Sequence, residues 1–147
     1  MPQLSETNPS RGRRRLLGTG EHVAPQHYSP AVQFGELIWT SGQLPVGADG
    51  STPTEFPQQV ELTLDNLERT LQACGASLAT VIKVTVYLAD INDLNALNEV
   101  YARRFAPHGA PARTTVQVAA FRGTKRIELE AVAHREAATE DAESIHG

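Results

Sequence analysis

The stretch Pro111-Ala-Arg-Thr-Thr-Val-Gln-Val118 passes from a proline-led loop into a run in which Thr114, Val116 and Val118 alternate with other residues. Alternation in a run rich in β-branched residues predicts a β-strand. Arg113 therefore stands at the mouth of a strand, where the backbone is fixed and the side chain can face a cleft. A guanidinium is a permanently charged fork of donors, suited to binding a carboxylate through two hydrogen bonds. The alternative is an ordinary surface arginine, paired with an acid or with solvent.

Hydrophobic periodicity outward from this stretch predicts two helices. The first covers about Phe56–Cys74 and ends at Gly75, because its apolar residues recur every three or four positions, namely Val60, Leu64, Leu67, Leu71 and Cys74. The second begins near Asn92 and Asp93, and its apolar stripe consists of Leu94, Leu97, Tyr101 and Phe105. We interpret Cys74 as a packed thiol rather than a nucleophile, since it continues the first stripe.

Alternating patterns predict the remaining strands. A hairpin is expected within Ala31–Gln43, a strand at Val81–Leu88 and a last strand at Arg126–His134. In the middle strand, one face is expected to carry Ile82, Val84, Val86 and Leu88. The resulting order β-β-α-β-α-β-β predicts an α+β domain, with two helices on one face of a mixed sheet.

The opposite face of this sheet has an apolar character that predicts self-association. It is expected to carry Thr85, Tyr87, Val116 and Val132, which is too apolar for a face left fully in water. A second copy of the chain would cover such a surface.

Composition and charge define the expected domain limits and compartment. The 147 residues suit one domain, 27–135, between a basic flexible arm at 1–26 that contains the Arg11–Arg15 cluster and an acidic flexible tail at 136–147. The single cysteine, together with the lack of an apolar signal region or membrane-length run, predicts a cytoplasmic protein. The net charge of −4 makes nucleic acid an improbable partner for the body of the chain.

Two carboxylates on the last predicted strand are further candidates for a site. Glu128 and Glu130 are two residues apart and therefore share one face, where like charges disfavour each other unless a cation or a pocket separates them. Arg113 could pair with one of them, from a neighbouring strand or from an adjacent subunit; the alternative is a salt bridge on a solvated face. The scattered histidines lack ligand spacing, so we expect no metal site.

Four motifs, in order and suitably spaced, resemble those of one family. They are Tyr28-Ser-Pro-Ala-Val32, Thr40-Ser-Gly-Gln43, Pro111-Ala-Arg-Thr-Thr-Val116 and Ile127-Glu-Leu-Glu-Ala131, and Val84-Thr-Val-Tyr-Leu-Ala-Asp90 precedes the second helix. Together they resemble the Rid family of reactive intermediate deaminases, also called the YjgF family, from about Tyr28 to His134.

This resemblance implies a chorismate-mutase-like α+β fold. It also implies a homotrimer in which the sheets line a central barrel, the helices lie outside and three clefts lie between subunits. The implied activity is that of a 2-iminobutanoate/2-iminopropanoate deaminase, a hydrolase of C–N bonds. Such enzymes convert enamines and imines, such as 2-aminoacrylate and 2-iminopropionate, to 2-keto acids and ammonia without a metal or organic cofactor.

The resemblance also implies roles for particular residues. The carboxylate-binding arginine corresponds to Arg113 and the water-positioning glutamate to Glu128, while the expected substrate-binding residues are Tyr28, Ser41, Gly42, Asn98 and Thr115. Many members have a cysteine at the position of Thr115; the departure weakens any role for a thiol, although this position contacts ligand largely through its backbone. Two alternatives stay open: a non-catalytic trimer that binds keto acids and acts through partners, and a ribonuclease, which the acidic body disfavours.

Overall fold

One mixed sheet of six strands forms the centre of the described part of the chain, residues 14–16 and 27–137 of a computed structural model. The spatial order is β1-β2-β3-β6-β4-β5, with β4 and β5 parallel and the other pairs antiparallel. The strands are β1 (Arg14–Leu16), β2 (Ala31–Phe34), β3 (Leu37–Thr40), β4 (Val81–Leu88), β5 (Ala112–Gln117) and β6 (Ile127–His134).

Two helices, α1 (Phe56–Ala73) and α2 (Leu94–Phe105), cover one face of this sheet. The predicted stripe of α1 is buried at every position, and Cys74 caps the helix before Gly75, whose φ of +76° suits a residue without Cβ. Each fully buried leucine on the stripe contributes roughly 1.5–3 kcal/mol relative to an exposed one. The predicted fold class, two helices on one face of a mixed sheet, is confirmed.

The predicted alternation of β4 is correct from Val84 onward and wrong at Ile82, which is 46% exposed. Val81 pairs with Ala133, but Lys83 pairs with the next residue, Val132, so β4 contains one extra residue here. Such a β-bulge reverses which residues face the core, and Ile82 consequently points away from it.

Ion pairs fix α2 against α1. The Arg104 guanidinium bonds to Glu61 at 2.7 Å, to Asp65 at 2.9 Å and to Glu68 at 3.2 Å, and Arg103 also contacts Glu61. Burial alone would raise the pKa of Glu61, but hydrogen bonds from both arginines outweigh it and hold that pKa below its usual value. Each exposed pair contributes little alone, whereas a network on one arginine fixes the position of α2.

Strand β1 lies within the range predicted as a flexible arm and adds one strand to the predicted order. It pairs antiparallel with β2, Arg14 opposite Gln33 and Leu16 opposite Ala31. At the other end of the domain, the Glu136 backbone N–H donates to the Gly75 carbonyl at 2.9 Å. The rest of the arm, including Arg11 and Arg13, and the tail from 138 lie outside the described residues.

The face of the sheet away from the helices carries exposed apolar side chains. Trp39 is 42% exposed and Val116 is 40% exposed, and Phe34 and Leu37 extend this surface at the hairpin. Among the described helices, none combines the length and apolar character needed to cross a bilayer.

Candidate functional site

The sheet and α2 together fix the side chain of Arg113. In the parallel pair, Arg113 lies beside Val84, which is fully buried under the helices, so Arg113 also faces the helical side. Its Nη2 donates to Asn98 Oδ1 at 2.8 Å, and its Cζ lies 4.7 Å from the centroid of the Tyr101 ring. A hydrogen bond at one edge and an aromatic face below restrict the guanidinium to one orientation.

Arg113 has no carboxylate partner among residues 14–16 and 27–137. The ion pairs formed within residues 27–137 involve Arg103, Arg104 and Arg126. The guanidinium is half-buried and its hydrogen-bonding partner is neutral. The alternative that Arg113 is an ordinary surface arginine paired with an acid therefore does not hold in the described part of the chain. The charge of its guanidinium is available to bind an anion.

Tyr101 is the residue of this cluster that the sequence analysis missed, since it was interpreted only as part of the apolar stripe. It is 5% exposed, and burial raises its pKa to about 12 against the opposing effect of the Arg113 charge, so the ring stays neutral. Its hydroxyl and that of Thr115 are buried and form no hydrogen bond with the described residues. Its position three residues after Asn98 is a signal that could have revealed it, because such residues share a helix face.

A recess opens beside Arg113, between the end of α2 and the loop that leads into β5. Its volume is about 390 Å³. Residues from α2, the loop and β5 line it: Asn98, Tyr101, Ala102, Phe105, Ala106, Ala110, Pro111 and Arg113. The cationic and amide groups thus lie in a mainly apolar wall, which is the usual composition of a small-molecule site.

Glu128 forms a second cluster with Gly42. A Cβ added at Gly42 would overlap Glu128 Oε1 and lie 2.8 Å from Cδ, so only glycine leaves room for the carboxylate in this position. The flanking residues hold the two segments in register. The Gln43 backbone N–H donates to the Leu129 carbonyl at 2.6 Å, and the Leu129 N–H donates to the Gln43 carbonyl at 3.1 Å. The close approach of the Glu128 side chain, rather than an unusual φ, explains why residue 42 is glycine.

The electrostatics of this cluster raise the pKa of the Glu128 carboxyl group. Burial raises its pKa, and the charge of Glu130 adds to the effect. Glu130 Oε1 accepts a hydrogen bond from the Tyr87 hydroxyl at 2.5 Å, and this bond raises the pKa of Tyr87. A cavity of about 290 Å³ adjoins these groups and is also lined by residues of the 118–121 segment. Glu128 can therefore exchange a proton with a small molecule beside it.

Ser41 and Tyr28 lie in the segment that leads to Gly42. The Ser41 hydroxyl donates to the Ser29 carbonyl at 2.5 Å, and its backbone N–H donates to the Pro30 carbonyl at 2.9 Å. Ser41 thus fixes the chain next to Tyr28, whose side chain is 60% exposed. Tyr28 lines neither the recess beside Arg113 nor the cavity beside Glu128 in one chain.

The two clusters lie on opposite faces of the sheet. Glu128 alternates with the fully buried Ile127 and Leu129, and it pairs with Tyr87 on the face away from the helices. Arg113 faces α2. One copy of the chain therefore does not bring Arg113 and Glu128 together, and pairing between them within the sheet is wrong as a prediction.

Comparison with known proteins identifies the family. A model of the Ribonuc_L-PSP family, described as endoribonuclease L-PSP, matches residues 20–135. The chain belongs to this family. Its predicted membership of the Rid or YjgF family is thereby confirmed, since this is the same family. The 2-iminobutanoate/2-iminopropanoate deaminase of Escherichia coli K12 is a relative, 37% identical over 111 residues that cover 74% of this chain and 87% of the relative.

Solved structures of Rid-family proteins share the fold of this chain. The YjgF gene product of E. coli has a TM-score of 0.76 and 32% identity, with 84% of this chain and 99% of that chain covered. E. coli TdcF with bound serine has a TM-score of 0.72 and 36% identity, with 83% and 94% covered. A relative named as a RutC family protein, from Pyrococcus abyssi, is 37% identical over 111 residues that cover 74% and 87% of the two chains.

Among the described residues of this Rid-family chain, the side chains that could bind a metal are dispersed. Within the described ranges, no three histidine, cysteine or acidic side chains are arranged to hold an ion. Thr115, on β5 two residues after Arg113, presents a buried hydroxyl toward the helical side. The described side chains around Arg113 and Glu128 can thus bind an anion and move a proton.

Proposed function

We propose that this Rid-family protein hydrolyses enamine and imine intermediates, of the 2-aminoacrylate and 2-iminopropanoate type, to 2-keto acids and ammonia. The observation that carries the proposal is the state of Arg113. Its guanidinium is oriented by Asn98 and Tyr101, it has no acidic partner in the described chain, and it lies at the wall of a recess. A preorganised cation of this kind can fix a substrate carboxylate through two parallel bonds.

In the proposed reaction, Glu128 holds the water and moves protons. As a carboxylate it accepts a proton while the water oxygen adds to the imine carbon, and the C=N electron pair moves to nitrogen. Glu128 returns its proton to that nitrogen, which gives a carbinolamine. It then transfers the hydroxyl proton to the same nitrogen, the C–N bond breaks as the ketone forms, and ammonia leaves. An enamine first becomes the imine by transfer of an N–H proton to its terminal carbon. The raised pKa of Glu128 supports this role, because an acid–base group works best when its pKa approaches the working pH.

We propose that each complete site forms between two copies in a homotrimer. Arg113 and Glu128 face opposite sides of the sheet in one chain, so Glu128, Gly42 and Tyr28 of a second copy would complete the cleft beside Arg113. The exposed apolar face that includes Trp39 and Val116 gives such copies a surface to bury against each other. In that trimer the sheets would line the central barrel implied by the family resemblance.

Mixing two inactive variants tests the composite site. Arg113→Ala and Glu128→Gln each remove one half, and subunit exchange at equal amounts should restore activity in about one quarter of the clefts, as random assortment in a closed ring requires. A double variant, Arg113→Ala with Glu128→Gln, mixed with either single variant is the control and should restore nothing. Light scattering that shows a monomer at micromolar concentration would contradict the trimer.

Release of keto acid tests the reaction. A pyridoxal-phosphate-dependent dehydratase generates 2-aminoacrylate from serine, and the protein should accelerate pyruvate formation beyond the spontaneous rate. Denatured protein and the Arg113→Ala variant are the controls. An unchanged rate with native protein would sink the deaminase proposal.

A non-catalytic binder is the second candidate. The solved structure of the related TdcF with bound serine shows that a member can hold an amino acid, which supports small carboxylates as ligands for either function. A binder would give calorimetric binding of a keto acid with no acceleration of hydrolysis. A ribonuclease finds less support, since the chain carries a net charge of −4. The cytoplasmic location stays a prediction.

A further inference from the structure

Gln43 is the residue of the motif Thr40-Ser-Gly-Gln43 that follows Gly42, and nothing above assigns a role to its side chain. This side chain is half-buried and forms hydrogen bonds in two directions. Its Nε2 group donates to the Ser41 carbonyl at 3.1 Å, and its Oε1 atom accepts from the Thr70 hydroxyl at 3.2 Å. Because the first bond spans Gly42 and the second reaches α1, Gln43 connects the Gly42 backbone to the helical layer.

The backbone of Gln43 holds the same segment against β6. Its N–H and its carbonyl exchange hydrogen bonds with Leu129, which is the neighbour of Glu128 on that strand. The Glu128 carboxylate lies directly against the Gly42 backbone, in space that a Cβ would occupy. A displacement of the Gly42 backbone therefore changes the surface on which this carboxylate rests.

Helix α1 is a rigid anchor for this segment. Asn66 and Thr70 are four residues apart and share a helix face. Asn66 Nδ2 donates to the Leu44 carbonyl at 2.8 Å and to the Val46 carbonyl at 3.0 Å. The leucines of the α1 stripe are fully buried, and a close-packed core leaves a helix little freedom to shift. Side chains of α1 thus fix the chain that follows Gly42.

We propose that Gln43 and Thr70 are positioning residues for Glu128. They fix the Gly42 backbone, and this backbone holds the Glu128 carboxylate where it would meet water and substrate. The inference rests on the proposed deaminase function and adds the contribution of α1 to it. Neither side chain contacts the substrate in this scheme. Each acts on proton transfer through Gly42 and leaves the carboxylate contact of Arg113 unchanged.

Two substitutions that remove these hydrogen bonds with little change in size test the proposal. Since a displacement of about 1 Å can cost roughly 100-fold in rate, kcat for keto acid release should fall about tenfold or more in Gln43→Met and about threefold or more in Thr70→Val. Thr70→Ser keeps the hydroxyl and should stay within about twofold of wild type. The calorimetric Kd for pyruvate should change by less than about twofold in all three variants, because Arg113 still binds the carboxylate.

Thr63→Val is the matched control. Thr63 lies about two turns before Thr70 on the same side of α1, but its hydroxyl donates to the Gln59 carbonyl of its own helix at 2.7 Å. Thr63→Val therefore removes a buried hydrogen bond without reaching Gln43, and it should preserve kcat. Thermal unfolding checks that every variant is folded at the assay temperature. An equal fall of kcat in Thr63→Val and Thr70→Val would attribute the loss to stability and overturn the proposal.

A double variant tests whether Gln43 acts through Glu128. In a Glu128→Gln background, Gln43→Met should lower the remaining kcat by less than about twofold, because residues that act through one group are not additive. The positioning role is wrong if Gln43→Met lowers kcat equally in both backgrounds. It is also wrong if the single variant keeps the kcat of wild type, or if it loses pyruvate binding in proportion to kcat.

The titration of the Glu128 carboxyl separates this inference from the proposed function. In protein isotope-labelled at the glutamate carboxyl carbons, the NMR resonance that disappears in Glu128→Gln belongs to Glu128. Because burial raises the pKa of this group, its release from Gly42 in Gln43→Met should lower that pKa toward the ordinary value of glutamate.

If no imine is hydrolysed faster than spontaneously, the deaminase proposal fails, and this titration then decides the inference. A pKa of Glu128 that is lowered in Gln43→Met but not in Thr63→Val supports the positioning role. An unchanged or raised pKa in Gln43→Met, or the same change in Thr63→Val, overturns it.

Discussion

Replacing Gly42 by alanine should displace Glu128 while leaving the fold intact. The new Cβ would overlap Glu128 Oε1 and lie 2.8 Å from Cδ, so the carboxylate must rotate away. Misplacement of a reacting group by about 1 Å can reduce a rate by roughly 100-fold, and removal of an acid–base group costs about 10²–10⁴-fold. We therefore expect kcat for keto acid release to fall by about 100-fold or more.

The stability of Gly42→Ala should change by less than about 1 kcal/mol. Loss of unfolded-state freedom stabilises by roughly 0.4–1 kcal/mol, and a shifted Glu128 rotamer costs roughly 0.5–1.5 kcal/mol, so the two effects largely cancel. Urea unfolding measures this difference. Calorimetric binding of a keto acid should persist, because Arg113 belongs to the other cluster.

Two controls make this reasoning refutable. Gly47→Ala adds a Cβ 3.0 Å from the exposed Asp49 carboxylate, in a loop away from Glu128, and should keep full turnover. In a Glu128→Gln background, Gly42→Ala should add little further loss, because neighbours that act through one group are not additive. Wild-type turnover in Gly42→Ala would show that the position of the Glu128 carboxylate is irrelevant to the reaction.

The remaining predictions concern Arg113, Glu128 and Cys74. Arg113→Lys should raise KM about tenfold or more despite the retained charge, because a point donor cannot reproduce the fork held by Asn98 and Tyr101; steady-state kinetics near wild type would contradict this. Glu128→Gln should lose turnover but retain keto acid binding. Below about pH 4, the ordinary pKa of an unfolded glutamate, this variant should be as stable as the wild-type protein. As the pH rises through the raised pKa of folded Glu128, the variant should become the more stable of the two, because the buried carboxylate costs the wild-type protein stability that glutamine avoids. Urea unfolding midpoints measured across this pH range report the difference. Cys74→Ala should cost about 1 kcal/mol and leave turnover unchanged, since burial among apolar residues raises the pKa of this thiol; activity lost from a folded variant would contradict a structural role.

The sequence predicted the helices and their stripes because burial on one face leaves a repeating pattern in the chain. Val60, Leu64, Leu67 and Leu71 are fully buried as expected. The bulge at Ile82 leaves no such pattern, because it is defined by the partner strand, fifty residues away along the chain. The three residues of β1 are likewise too few to show a period.

The site was predictable as a set of residues but not as an arrangement. Family motifs pointed to Arg113, Asn98, Gly42 and Glu128, and the structure brings together two pairs: Arg113 with Asn98, and Gly42 with Glu128. The face on which each pair lies depends on the sheet order and register, which local periodicity does not specify. The sequence analysis missed the contact of Tyr101 with Arg113, because the helical periodicity explains this residue fully as a core residue. Tyr101 packs in the core and also supports the Arg113 guanidinium.

The separation of Arg113 from Glu128 has a chemical advantage. If both side chains met within one chain, they would form an ion pair, which would occupy the guanidinium and lower the pKa of Glu128. Placed on opposite faces of the sheet, Arg113 keeps a neutral partner in Asn98, and Glu128 keeps a raised pKa. In the proposed reaction, Arg113 is thus free to bind the substrate carboxylate, and Glu128 has a pKa suited to proton transfer, before a second copy and a substrate bring them into one cleft. Because the sheet separates these groups within one chain, the proposed reaction would depend on assembly of the proposed trimer.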